Sequence, residues 1–207
     1  MFRIICLLIG YSLGLFQTAY IVGRLNGIDI RDHGSKNAGF TNTNRVLGRK
    51  MGGIVFVADI VKAVLAFLAA TLVYRFSGDG PPAMVLGLYG GVGAILGHVY
   101  PFYLKFKGGK GVSCTLGVII MLSLMLSPWV MAIAFALGIV AVATTRYISV
   151  ASLLITLSVP ILMALWGYGL EPIVLMGAVA VFIWYLHRAN IGRLLGGTEN
   201  KFSLNKK

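Results

Sequence analysis

The sequence predicts an all-α integral membrane protein with seven transmembrane helices, an N-terminus outside the cell and a C-terminus in the cytoplasm. The 207 residues are 58% hydrophobic, with a mean hydropathy of +0.88. Only 12% are charged, which is about half the share that is usual in a soluble domain. The apolar residues form long runs rather than helical or alternating patterns, as expected of a chain that crosses a bilayer.

Each of the seven apolar runs is long enough, or nearly long enough, for a helix that crosses the hydrocarbon core. The runs are 4–23, 51–74, 83–104, 112–127, 128–145, 147–166 and 170–187. We divide 112–145 at Ser127-Pro128 because proline is tolerated in the first turn of a helix and suits a tight reversal. No linker or low-complexity segment interrupts the chain, so we expect one membrane-embedded domain over residues 1–207.

Positive charge supports this division and sets the orientation. Lysine and arginine are concentrated in the first and third loops and in the tail, whereas the second loop has only Arg75, offset by Asp79. With seven spans, every cation-rich segment lies on one face, which the positive-inside rule assigns to the cytoplasm. The tail cations are Arg188, Arg193, Lys201, Lys206 and Lys207. The same rule explains the net charge of +12, so we expect no nucleic-acid partner.

Three segments on the predicted cytoplasmic face combine cations, hydroxyls and amides with glycine. They are HGSKNAGFTNTNR at 33–45, KFKGGKGVS at 105–113 and HRANIGRLLGGTEN at 187–200, and their only acid is Glu199. Such a donor-rich composition favours a bound anion, in particular phosphate, and glycine lets backbone N–H groups approach it. A helix that begins just after Gly111 would add a helix N-terminus to this site.

Several other kinds of site are excluded by motifs that the chain lacks. The KGGKG stretch does not fit the G-x-x-x-x-G-K-[ST] pattern of a nucleotide-binding P-loop. The sequence has neither a His-x-x-x-x-Asp pair nor a G-x-S-x-G nucleophile elbow. The three polar segments also hold too few carboxylates for Mg²⁺, so we expect no metal and no cofactor.

Some polar residues have simpler explanations that compete with a binding site. Juxtamembrane lysines such as Lys105 commonly contact anionic lipids. A histidine at a helix end, such as His187, can be an interfacial anchor, although Arg188 and Asn190 beside it favour a polar site. For His98 the two interpretations are evenly balanced.

Two features inside the spans are interpreted as structural. Glycines recur at four-residue spacing, which lets helix backbones approach closely in a bilayer. These pairs are Gly10/Gly14, Gly87/Gly91 and Gly93/Gly97. Asp59 and Lys62 lie three residues apart on one helical face; such a pair is either structural or part of a transport path, and we favour the structural interpretation.

In its polar segments the sequence resembles the bacterial acyl-phosphate-dependent glycerol-3-phosphate acyltransferases, the PlsY family, and the resemblance covers essentially the whole chain. The first loop matches Gly-Ser-x-Asn-x-Gly-x-Thr-Asn at 34–42, followed by Arg45. The second loop matches Lys-Gly-Gly-Lys-Gly-Val at 107–112. The third matches His-Arg-Glu-Asn-Ile and Arg-Leu-Leu within 187–195, and the stretch 145–152 resembles a family segment with its serine at Ser149.

The chain departs from that pattern in two places. Ala38 and Phe40 stand where the family usually has proline and alanine, so the first loop could be shaped differently. Ala189 stands in place of the usual glutamate in the third motif. Any role of that carboxylate must therefore be absent or supplied elsewhere, with Glu199 as the candidate.

The resemblance implies transfer of a fatty acyl group from acyl phosphate to the 1-hydroxyl of sn-glycerol 3-phosphate, giving lysophosphatidate and phosphate for phospholipid synthesis. It implies a multi-pass protein of the bacterial inner membrane with its active site on the cytoplasmic face. The expected partners are acyl phosphate, glycerol 3-phosphate and membrane lipid. A substrate phosphate oxygen is the expected base, so no residue is assigned as catalytic, and His187 and Asn190 are expected to position the substrate.

The resemblance also implies site residues. Assigned to glycerol 3-phosphate are Ser35, Arg45, Lys107, Ser149, His187 and Asn190. Assigned to the acyl phosphate group are Gly108, Gly109, Lys110 and Gly111, although the division between the two lysines stays open. Further expected substrate contacts are Asn37, Thr41 and Asn42.

Two other functions fit parts of the sequence. A transporter of an organic phosphate would suit seven spans and an intramembrane ion pair, but the polar groups cluster on one face and no internal repeat is present. A scaffold that recruits anionic lipids would not need the asparagines and glycines of the polar segments. We therefore favour the acyltransferase, while the acyl-chain preference and the oligomeric state stay open.

Overall fold

Residues 1–78 and 80–202 are described by a computed structural model, and all regular structure in these ranges is helical. The α-helices are α1 (Phe2–Gly14), α2 (Thr18–Leu25), α3 (Phe40–Leu72), α4 (Ala83–Val99), α5 (Val112–Met125), α6 (Pro128–Thr145), α7 (Ile148–Leu165), α8 (Leu170–Leu186) and α9 (Arg188–Leu195). Short 3₁₀ helices lie at Ile30–Asp32, Val73–Phe76 and Phe102–Leu104. The predicted all-α fold is confirmed. Asp79, Lys206 and Lys207, which entered the charge argument, lie outside the described residues.

Most of the predicted spans correspond to helices long and apolar enough to cross a membrane. Within the described ranges, five segments qualify: Phe2–Leu25, Phe40–Phe76, Ala83–Leu104, Pro128–Thr145 and Ile148–Leu165. The pair α8 and α9, bent by 58°, makes a sixth if it is counted as one span. The apolar helix α5 has only 14 residues, about 21 Å at 1.5 Å per residue, so it would need a thinned bilayer. The number of crossings and their orientation therefore remain predictions.

The first predicted span contains a break between α1 and α2 at residues 15–17. A break frees backbone carbonyls, which are expensive to leave unpaired in lipid. Distant side chains satisfy two of them: the Tyr103 hydroxyl donates to the Leu15 carbonyl at 2.6 Å, and Lys62 Nζ donates to the Phe16 carbonyl at 2.7 Å. Gln17 donates in the other direction, to the His98 carbonyl at 3.0 Å. Side chains from α3 and from the segment after α4, together with a backbone carbonyl of α4, thus stabilise the break.

The helix α3 is kinked at Gly48, which separates a short helix over 40–47 from the long apolar helix over 49–72. Gly48 has φ 83° and ψ 175°, a conformation that glycine adopts at little cost and that other residues rarely adopt. The sequence analysis placed the start of the span at residue 51 and did not predict the kink. Its consequence is that the short helix carries the end of the first polar segment, including Arg45, outside the long apolar helix.

The chain divides into two compact units, Met1–Met121 and Leu122–Lys207. In the first unit, α1 packs on α4 through its glycines: a Cβ on Gly10 would collide with the backbone of Gly90, and one on Gly14 with the backbone of Ala94. The predicted role of these glycines in helix packing is confirmed. In the second unit, α7 packs against both α6 and α8. That residues 1–207 form one domain stays a prediction.

Candidate functional site

Asn42 organises the first polar segment from the inside. It is completely buried, and its amide oxygen accepts a hydrogen bond from the Ser35 backbone N–H at 2.7 Å. Its amide nitrogen donates to the carbonyls of Ile30 and His33, both at 3.0 Å. The side chain is therefore occupied by the loop backbone. We correct the expected direct substrate contact of Asn42 to a supporting role, because its buried amide holds the loop in shape.

The other predicted residues of this segment lie nearer to solvent. Ser35 and Arg45 are exposed, whereas Asn37 and Thr41 are half-buried. The Arg45 guanidinium has no hydrogen-bond or ion-pair partner among residues 1–78 and 80–202. An unpaired guanidinium presents a planar array of donors that matches carboxylate or phosphate oxygens. This chemistry agrees with the predicted binding of an anion at Arg45.

The glycines of the second polar segment pack against the C-terminal end of α4. The backbone N–H of Gly108 donates to the Val99 carbonyl and that of Gly109 to the His98 carbonyl, each at 3.1 Å. A Cβ on Gly109 would collide with His98 Nε2. Since both N–H groups are used inside the protein, we correct the expected cradle of glycine N–H groups at these two positions. That the loop binds acyl phosphate stays a prediction, now carried by its lysines and by the start of α5.

The two lysines nearest the glycines of this segment differ in exposure, and a helix begins shortly after them. Lys107 is exposed and its ammonium has no partner within the described part of the chain, whereas Lys110 is half-buried. Gly111 has φ 83°, and its carbonyl accepts the backbone N–H of Thr115 at 2.8 Å. The predicted helix start after Gly111 is confirmed, since α5 begins at Val112. The first turn of α5 thus adds a partial positive charge beside the lysines.

The two polar segments of the first unit lie side by side. A Cβ on Gly109 would be 2.8 Å from the carbonyl oxygen of Ala38, so the two backbones are in close contact. Arg31 provides a second connection, because it donates to the Leu104 carbonyl at 3.1 Å. Hydrogen bonds from Arg31 also hold the pKa of Asp29 at about 2, and the resulting carboxylate fixes the guanidinium at 2.7 Å.

In the second unit, Glu199 brings together two predicted site residues. Its Oε1 accepts from Asn190 Nδ2 at 2.7 Å and from Ser149 Oγ at 3.2 Å. Its Oε2 accepts from Arg193 Nε at 2.7 Å. Burial raises the pKa of Glu199, but hydrogen bonds from Asn190 and Arg193 lower it more, so the net direction is downward. We name these four residues the Glu199 cluster.

The sequence analysis named Glu199 only as a substitute for the family glutamate, and did not include it among the site residues. Ala189, which occupies the position of that glutamate, is exposed and is one residue before Asn190. The tail reaches the cluster because it folds back, with the Phe202 N–H donating to the Arg146 carbonyl at 2.7 Å. The sequence feature that could have identified Glu199 is that it is the only acid within the three polar segments.

His187 lies at the bend between α8 and α9 and is buried, with 4% of its surface exposed. Its Nδ1 is 2.8 Å from the Ile183 carbonyl oxygen. Because a carbonyl only accepts, Nδ1 carries the proton, and Nε2 of a neutral ring is left as an acceptor. An imidazole with a fixed tautomer suits the expected positioning of a substrate hydroxyl.

Fold and polar residues together define a multi-pass helical membrane protein with cationic, amide-rich segments suited to phosphate. The family model described as glycerol-3-phosphate acyltransferase matches residues 4–197. A glycerol-3-phosphate acyltransferase of Salinibacter ruber is 39% identical, over 96% of this chain and 92% of that protein. Another, from Desulfotalea psychrophila, is 41% identical, over 94% of this chain and 95% of its own.

A solved structure of the integral membrane glycerol 3-phosphate acyltransferase PlsY (YgiH), in its glycerol 3-phosphate form, matches with a TM-score of 0.84 and 34% identity. That match covers 97% of this chain and 96% of the other. The lysophosphatidic acid form of PlsY matches with a TM-score of 0.81 and 33% identity, over 97% and 95% of the two chains. The chain therefore belongs to the glycerol-3-phosphate acyltransferase family of the PlsY type.

Proposed function

We propose that the protein transfers a fatty acyl group from acyl phosphate to the 1-hydroxyl of sn-glycerol 3-phosphate. The observation that carries the proposal is the family match over residues 4–197, which includes the first two polar segments and most of the third. The exposed cations Arg45 and Lys107, which have no partner within the described ranges, support it, because both substrates carry phosphate. A fatty acyl donor also agrees with a protein embedded in the membrane.

The reaction requires little covalent chemistry from the protein. The glycerol hydroxyl oxygen attacks the acyl carbonyl carbon, a new ester C–O bond forms, and the bond from that carbon to the phosphate oxygen breaks. The hydroxyl proton passes to a phosphate oxygen, and phosphate leaves with it. Since acyl phosphate is already activated, positioning and stabilisation of negative charge are the main contributions left to the side chains.

We carry the residue assignments forward as parts of this proposal. The residues assigned to glycerol 3-phosphate are Ser35, Arg45, Lys107, Ser149, His187 and Asn190, with Asn37 and Thr41 as further contacts. His187 and Asn190 are assigned to positioning it. The acyl phosphate group is assigned to Lys110 and the KGGKG loop, and no metal or cofactor is required. The concentration of cations in these segments supports a location of this chemistry on the cytoplasmic face of a bacterial inner membrane.

The donor is tested with purified protein in detergent, supplied with palmitoyl phosphate and glycerol 3-phosphate. We expect phosphate and lysophosphatidate to form together in equal amounts. Parallel reactions with palmitoyl-CoA and palmitoyl acyl-carrier protein should give neither product. Activity with a thioester donor alone would contradict the proposed donor, and folded protein that is silent with every donor would favour a transporter of organic phosphate.

The binding of substrate phosphate is tested with Arg45→Ala. Loss of a charge-assisted contact of about 1.5–3 kcal/mol predicts a roughly 10- to 100-fold fall in kcat/KM for glycerol 3-phosphate. Arg49→Ala is the matched control, since Arg49 is also exposed and lies just beyond the Gly48 kink. Equal kinetics for the two variants would remove Arg45 from the site.

A further inference from the structure

Asp59, Lys62 and His98 form a buried polar cluster in the first unit that the proposed reaction does not use. Their exposed fractions are 1%, 5% and 3%. Lys62 Nζ lies 2.8 Å from Asp59 Oδ1 and 2.9 Å from His98 Nδ1. The ammonium also donates to the Phe16 carbonyl at 2.7 Å, so it is in contact with three polar groups.

The cluster has the donor atoms of a metal site but not the space for one. Asp59, His98 and the buried Cys114 offer ligand atoms within 4.8 Å of one another. The Lys62 ammonium, however, already lies in direct contact with the carboxylate and the imidazole. A cation is therefore present between these two groups, and a second one would be repelled by it.

The orientation of His98 connects the cluster to the glycine loop. On one side of the ring, Nδ1 lies 2.9 Å from Lys62 Nζ and 3.5 Å from Asp59 Oδ1. Nε2 is the atom that a Cβ on Gly109 would strike. The imidazole is thus fixed on one side by Lys62 and lies directly against the Gly109 backbone on the other.

The main chain of His98 makes a second connection to the same loop. Its carbonyl accepts from the Gly109 N–H at 3.1 Å and from the Gln17 side chain at 3.0 Å. A Cβ on Gly108 would collide with this same carbonyl oxygen. Both the side chain and the backbone of His98 therefore determine where the loop lies.

We propose that Asp59, Lys62 and His98 are positioning residues, which hold the backbone of Gly108 and Gly109 where the KGGKG loop binds the acyl phosphate group. The ion pair fixes the imidazole, the imidazole supports Gly109, and the loop then presents Lys107 and Lys110. The cluster acts through the loop and does not touch substrate. This proposal rests on the proposed function, and it concerns the acyl donor rather than the glycerol 3-phosphate acceptor.

The first test is His98→Asn, measured in steady-state kinetics with palmitoyl phosphate and glycerol 3-phosphate. The asparagine amide oxygen can replace Nδ1 as the acceptor for Lys62, but the part of the ring that supports Gly109 is lost. Since small displacements of binding groups are costly, we expect KM for palmitoyl phosphate to rise roughly 10-fold or more. KM for glycerol 3-phosphate should rise much less, because Lys107 is the only one of its assigned residues that lies on the displaced loop.

The second test changes the other partner of the contact between His98 and Gly109. Gly109→Ala should raise KM for palmitoyl phosphate in the same way. Because this substitution leaves the Asp59–Lys62 ion pair intact, it still tests the proposal if His98→Asn does not fold. In the double variant His98→Asn/Gly109→Ala the two effects should be clearly less than multiplicative, because residues in contact are energetically coupled. Gly177→Ala is the control, since a Cβ there meets no other atom within 4 Å.

The outcomes separate this proposal from the proposed function. If wild-type protein is silent with palmitoyl phosphate, the proposed function fails. If wild type is active and the variants keep both KM values, or raise both equally, only the positioning proposal is overturned. A lower melting temperature with unchanged KM values also overturns it, because that is the result of a purely structural cluster.

Discussion

Two buried clusters are each built around one carboxylate, but their surroundings differ. In the first unit, Asp59 pairs with Lys62 within the long apolar helix, and the two side chains are 1% and 6% exposed. In the second unit, Glu199 pairs with Arg193 beyond the last apolar helix, and those side chains are 7% and 38% exposed. Both carboxylates are paired with a cation, but of these four side chains Arg193 is by far the most exposed.

The difference between the clusters concerns what can replace a lost partner. At the depth of a span no water is available, so removing Lys62 leaves the Asp59 carboxylate without its ammonium partner. At the end of α9, water can hydrate Glu199 or Arg193 when their contact opens. The Asp59 cluster is therefore suited to fixing one geometry. The Glu199 cluster is suited to exchanging its bonds for those of a substrate.

The largest loss of stability is expected for Lys62→Met, which keeps the apolar volume of the side chain but removes its charge. We expect unfolding to become easier by about 3–5 kcal/mol, the usual result of breaking a buried pair. Thermal unfolding in detergent measures it. The double variant Asp59→Asn/Lys62→Met should recover part of the loss, since no charge is then left buried. If Lys62→Met alone were as stable as wild type, the claim that the Asp59 cluster cannot replace a lost partner would be wrong.

A smaller effect is expected for Glu199→Gln. The amide keeps the shape but loses the charge-assisted bonds from Asn190 and Arg193, which predicts a loss of about 1–2 kcal/mol in the same measurement. Asp32→Asn is the control, because Asp32 is an exposed acid. If Glu199→Gln were as damaging as Lys62→Met, the distinction between the two clusters would not hold.

The pH dependence sharpens the comparison, because Glu199 can be titrated from water. Its pKa in the folded state is below the ordinary 4.5, so its carboxylate stabilises the fold above that pH. This stabilisation is lost as pH falls through the lower folded-state pKa. We therefore expect the difference in melting temperature between wild type and Glu199→Gln to be full near pH 6 and to shrink as pH falls below 4.5. A difference that grows on acidification would contradict the assigned direction.

The smallest effect is expected for Asp29→Asn, at a partly exposed ion pair with Arg31. Such pairs contribute about 0–1 kcal/mol. Because the pKa of Asp29 is lowered from 3.8 to about 2, its contribution is present above pH 3.8 and is lost as pH falls towards 2. Melting curves with and without 1 M salt check it, since salt should erase most of the difference from wild type.

Composition and charge predicted much of the fold. Each apolar run corresponds to a helix or a helix pair, because the requirement to place apolar side chains in lipid is visible in local sequence. The breaks at residues 15–17 and at Gly48 were not predicted. The first depends on Lys62, 46 residues from the Phe16 carbonyl that it satisfies, and no local pattern reveals such a donor.

The candidate site was predicted by residue type more successfully than by role. Asn37 and Asn42 look alike in sequence, but only the structure shows that Asn42 is buried and bonded to the loop backbone. The glycines were expected to face an anion, whereas the N–H groups of Gly108 and Gly109 bond to the end of α4. The contact of Ser149 with Glu199 spans 50 residues, beyond what motif spacing can show.

The packing of α1 on α4 has a consequence for how the protein is made. Gln17 finds an acceptor at His98, 81 residues later, and Gly10 and Gly14 of α1 pack on the backbone of α4. A nascent chain must therefore hold α1 in the membrane, with these polar and small groups unsatisfied, until α4 has been synthesised and inserted. During biogenesis, α1 thus faces lipid or an insertion factor until its packing partner is in place.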